Sequence, residues 1–68
     1  MIAVFTRSGR DFKDLELTPR KMFRRITSID DIRGVKFLGI LKTYKWWESR
    51  QIEEAYDHLK SRHPELFD

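Results

Sequence analysis

The apolar positions of this chain change their period from one stretch to the next, and each period predicts an element. Residues 2–7 are rich in β-branched and aromatic side chains and predict a first strand. Ser8-Gly9 reads as a turn, with Arg10-Asp11 completing a short loop. Residues 12–18 predict a second strand, because Leu15 and Leu17 alternate with Asp14 and Glu16, one face buried and the other wet. The two strands are expected to pair as a hairpin. Thr18-Pro19 then signals a helix start, a capping hydroxyl followed by proline at the first helical position. Over residues 19–26, Arg20, Lys21, Arg24 and Arg25 gather on one side of such a helix and Met22, Phe23 and Ile26 on the other.

Residues 27–33 predict a loop or one irregular turn. Ser28 is placed to cap it, Asp30 and Asp31 suit its amino end, and Gly34 is placed to end it. Residues 35–46 form the densest apolar run, with large side chains on both phases of a period of two. That pattern predicts a long central strand covered on both faces. Residues 48–63 carry the best helical periodicity, with Ile52, Ala55, Tyr56, Leu59 and His63 on one side and Pro64 as the stop. Leu66 and Phe67 form a short apolar tail. The expected architecture is α+β in the order β-β-α-β-α. A three-stranded sheet would carry a short basic helix and a longer C-terminal helix. Strand order is left open between a parallel crossover and an antiparallel return.

Length narrows this picture. With 68 residues the chain has room for one domain spanning 1–68. A domain of that size buries only about 60% of the surface its unfolded chain exposes, so each of the large rings matters to the core. The chain is 40% hydrophobic and 37% charged, which is a globular balance rather than a disordered one. There is no cysteine, which excludes a disulfide scaffold and thiolate chemistry and suits an intracellular, cytoplasmic setting. No apolar run is long enough to span a bilayer, so no membrane role is expected.

Charge adds direction. The net charge is +3, all of it in residues 1–34, which hold eight Lys/Arg against five Asp/Glu. The last sixteen residues hold five acids against two bases. A basic pole and an acidic pole are therefore expected.

Two stretches are candidates for chemistry. The first is the basic helix, whose Arg20, Lys21, Arg24 and Arg25 would lie along phosphates without reading sequence. The competing view is a solvated face, since amphipathic helices place long charged side chains in water. The second is residues 42–47, where Lys42 and Lys45 alternate with Tyr44, Trp46 and Trp47. Rings beside cations are a means of stacking single-stranded bases. The competing view is that the rings fill a small core. Arg7, Arg10 and Lys13 form a further basic group at the expected hairpin tip.

His58 and His63 are five apart, a poor spacing for one metal, and no cofactor motif or catalytic constellation appears. These features lead to an expected non-enzymatic nucleic-acid-binding protein, for DNA or RNA, using Arg20, Lys21, Arg24, Arg25, Lys42, Lys45 and Trp46, with no cofactor. The alternative is a protein-interaction module, a compact regulator or inhibitor of the kind carried by phages and mobile elements. It would use Trp46, Trp47, Leu66 and Phe67, with homodimerisation as a variant.

Overall fold

A computed structural model describes residues 1–67. Asp68, the last of the acidic stretch, lies outside the described residues. The elements are β1 (Ile2–Phe5), α1 (Gly9–Asp14), β2 (Phe23–Arg25), β3 (Gly39–Lys42) and α2 (Arg50–Arg62), with a 3-10 turn in each connection from α1 onward and another, Pro64–Phe67, after α2. The three strands form one parallel sheet in the order β2-β1-β3. Ile2 pairs with Phe23 on one side and with Gly39 on the other. A mixed helix-and-sheet domain with three strands is therefore present. Its element order is β-α-β-β-α, without the expected hairpin.

β1 is the central strand. Ala3, Val4 and Phe5 are wholly buried, as a strand flanked on both edges and covered on both faces requires. On one face, Ala3 and Phe5 join Ile26, Ile32, Phe37, Ile52, Ala55 and Leu59 in the main core. The segment between β2 and β3 and the apolar stripe of α2 thus cover the same face. On the other face lie Val4 and, just past the strand, Thr6, both fully buried.

Three expectations need correction. The predicted second strand is the helix α1. Ser8 caps it, its side chain accepting from Asp11 N at 3.2 Å, and Arg7 pairs with Asp11 one turn on. Glu16 then takes a left-handed conformation, φ 49°, which ends the helix. The alternation of Leu15 and Leu17 falls in this exit and its following loop, not in a strand.

The predicted basic helix is a 3-10 turn, Arg20–Met22, running into β2. Helical segregation over seven residues is too short to outweigh an edge of β1 that needs a partner. The long strand shrinks to β3 and sits at the edge. Gly34, φ 71°, redirects the chain before it, so Val35 and Phe37 pack from a loop, while Leu38 stays 73% exposed. After Lys42, Thr43 closes the ladder by donating both its N–H and its hydroxyl to the Phe5 carbonyl. Lys45 then turns left-handed, φ 55°, into the 3-10 turn Trp46–Glu48.

The irregular turn at residues 27–33 is present as Ile29–Asp31, with Ser28 and Asp31 forming a capping box. α2 agrees with its predicted periodicity, and Ile52, Ala55 and Leu59 are its buried residues. Ser49 stands at its N-cap position, without a side-chain capping hydrogen bond.

Candidate functional site

Because all three strands run the same way, their carboxyl ends lie on one edge of the sheet. β1 leads to β2 on one side, and the chain then returns across to β3 on the other. The order therefore reverses between β1 and β3, and loops leave this edge in both directions. In open parallel sheets that place is the usual seat of ligands, since diverging loops leave a crevice there.

Residues from each strand end converge on it. Thr6 follows β1, and its hydroxyl donates to the Ser8 carbonyl at 3.1 Å. The same oxygen accepts from Arg25 Nε at 3.0 Å, so the last residue of β2 leans toward the first turn of α1 at Gly9. Lys42 ends β3 and lies over the Tyr56 ring, 5.4 Å from its centroid. Lys45 lies 5.4 Å over the Tyr44 ring and 3.8 Å from Glu48. Arg7 lies within electrostatic reach of Glu48 and Tyr44. Its hydrogen bond to Asp11, above all, holds its guanidinium charge more firmly than usual.

Two rings on this edge face water: Tyr44 is 75% exposed and Trp47 is 52% exposed. Trp46 does the opposite. It packs on Phe5 and Tyr56 with centroids at 5.8 and 4.4 Å, and forms part of the core rim. The turn at Lys45 separates them, so the face shared by Tyr44 and Trp46 in a straight strand does not exist. Lys42–Trp47 thus divides its rings, one inward and two outward.

The other sequence-predicted cations scatter. Arg20 and Lys21 precede β2 and sit at the amino edge, where Arg20 lies 5.9 Å over the Phe12 ring. Arg24 is engaged by Asp31, donating Nε to its backbone carbonyl at 2.8 Å with Nη2 3.6 Å from its carboxylate. Only Arg25 of the four joins Lys42 and Lys45. Leu66 and Phe67, the tail of the alternative interface, pack against the core, with Phe67 edge-on to Tyr56 at 4.9 Å. Arg7, expected at a hairpin tip, sits instead at this edge, and Tyr44, one of the rings of residues 42–47 but not among the expected binding residues, is the more exposed of the two outward rings. A lysine-aromatic alternation just past a strand was the available signal for Tyr44.

Among the described residues no group of three or more His, Cys, Asp or Glu side chains gathers as a cation site. No helix is long and apolar enough to cross a membrane among the described residues. No protein-family model, curated protein or solved structure matches this chain.

Proposed function

We propose that this protein binds single-stranded nucleic acid along the carboxyl edge of its sheet, as a binding protein and not an enzyme. Bases stack on Tyr44 and Trp47, and phosphates meet Arg7, Arg25, Lys42 and Lys45. The observation that carries this reading is the pair of exposed rings set among those cations at the point where strand order reverses. Exposed aromatics cost solvation unless a partner covers them, and every base offers a face to stack on. The cations supply affinity without sequence information.

The test is titration of the full chain with a short oligothymidylate and its RNA counterpart, followed by tryptophan fluorescence. Binding is expected to quench Trp47 and to weaken with salt, with a log–log slope of about −2 to −3 for three or four single-strand phosphates. Tyr44→Ala and Trp47→Ala are each expected to weaken binding by roughly 1–3 kcal/mol, the usual worth of one stacked base. Absence of binding at low salt with either oligonucleotide, or unchanged affinity in both variants, would remove the proposal.

A protein partner is the second reading. Trp47 favours it, because an exposed tryptophan rimmed by Lys45 and Glu48 also has the composition of an interface anchor. Self-association that protects Trp47 from a soluble quencher would support this reading over the first.

A further inference from the structure

At the amino edge, away from Tyr44 and Trp47, an open groove of about 740 Å³ runs between residues 32–36 and the last turns of α2. Its floor is apolar: Ile32 and Leu59 are buried and Val35 is half-buried. Its rim is basic, with Arg33 and Lys36 on one wall and Arg62, His58 and His63 on the other. Among the described residues no Asp or Glu lines it.

A helix C-terminus favours cations by itself, which accounts for Arg62 on α2. It does not account for Arg33 and Lys36, which come from a separate segment and face the same space. Two carboxylate partners of the rim are loosely held. Asp30 meets Arg33 at 3.5 Å with both side chains more than 70% exposed, and Glu65 meets His63 Nδ1 at 3.3 Å. Such pairs are screened and exchange readily for another carboxylate.

We propose that this groove docks an acidic peptide segment bearing one or two aliphatic side chains. Its carboxylates meet Arg33, Lys36 and Arg62, and an aliphatic side chain lies over Val35 and Leu59. Cations spread over two walls match several negative groups rather than one. The apolar floor gives nothing to a bare phosphate chain, and no Phe, Tyr or Trp among the described residues lines the groove; its rings are the imidazoles of His58 and His63. The groove is open to solvent rather than enclosed, which suits a peptide segment more than a small molecule that must be largely buried.

The probe is a blocked peptide in which two leucines are interspersed among four glutamates. It is titrated into the uniformly ¹⁵N-labelled full chain. The expected result is saturable shifts at residues 32–36 and 58–63, with the amides of Tyr44 and Trp47 unmoved. Lys36→Glu combined with Arg62→Glu is expected to raise Kd about tenfold or more, both positions being exposed and so compatible with folding. Replacing the peptide's leucines by alanine is expected to weaken binding several-fold at unchanged charge. Shifts centred on Tyr44 and Trp47, no saturable binding, or equal binding of the alanine peptide would each overturn the proposal. So would stronger shifts of the same residues by oligothymidylate or by phosphatidylserine vesicles. The residues that move separate this outcome from that of the carboxyl-edge titration.

Discussion

Asp31→Ala tests the corner that holds β2 against the turn following it. The Asp31 carboxylate accepts from Thr27 N at 2.6 Å, from Ser28 N at 3.2 Å and from the Thr27 hydroxyl, with Arg24 Nη2 at 3.6 Å. The Arg24 Nε bond goes to the backbone carbonyl and survives the substitution. Thr27 is exposed, so its donors turn to water, while Ser28 is half-buried and does so less well. The loss lies between that of a helix cap and that of charged hydrogen bonds, about 1–2 kcal/mol. In a domain of this size that is a fall of about 4–16 °C in Tm. Circular dichroism on heating, with urea titration as a second measure, reads it.

Burial pushes this carboxyl up, but the bonds from Thr27 and Ser28 and the Arg24 charge outweigh it and hold the group below its ordinary value. A depressed folded-state value stabilises the fold above the unfolded value and loses that contribution as pH falls through the folded one. The stability gap between the parent and Asp31→Asn is therefore expected to be full near neutrality and to narrow below about pH 4. Asp30→Ala, one residue away at a largely exposed pair, is expected to cost under about 0.5 kcal/mol. A cost at Asp30 equal to that at Asp31, or a gap that stays constant into acid, would refute the reasoning.

Trp46→Ala is expected to destabilise the fold by about 3–5 kcal/mol in urea titration, because its contacts with Phe5 and Tyr56 are part of a small core. Thr6→Val is expected to cost about 1–2 kcal/mol by the same measurement, since it leaves Arg25 Nε and the Ser8 carbonyl without their hydroxyl partner. Gly34→Ala is expected to lower Tm because φ 71° disfavours a side chain there. Gly39→Ala, with open space around its Cβ position and no such backbone, is expected to keep Tm or raise it slightly.

Where a local pattern and a tertiary need agreed, the sequence was legible. Ile52, Ala55 and Leu59 repeat at helical spacing and form the buried stripe of α2, and Ser28 with Asp31 marked the irregular turn. Where they disagreed, the tertiary need won. Residues 19–26 segregate charge as a helix would, yet Phe23–Arg25 serves as the edge partner of β1. Residues 35–46 are apolar on both phases because they supply a loop, a strand and a turn to one core, not because one strand is covered twice. The cation-aromatic stretch was visible, but which ring faced water depended on the left-handed turn at Lys45, which nothing in its own side chain announces. The grouping of Arg7 and Arg25 with Lys42 required the parallel sheet, and so did the separation of Arg20 and Lys21 from them.

The central strand is also the first in the chain, which bears on how the protein folds. Ile2 has no ladder partner until Phe23 and Gly39 arrive, and Phe5 stays uncovered until Trp46 and Tyr56 do. Every sheet pairing therefore closes a large loop before any contact rewards it. A chain of this topology is expected to fold more slowly than one of its length built on a local hairpin. Until β2 and β3 join, the apolar run of β1 is an unpaired strand with both edges open, the form most prone to pair with another chain.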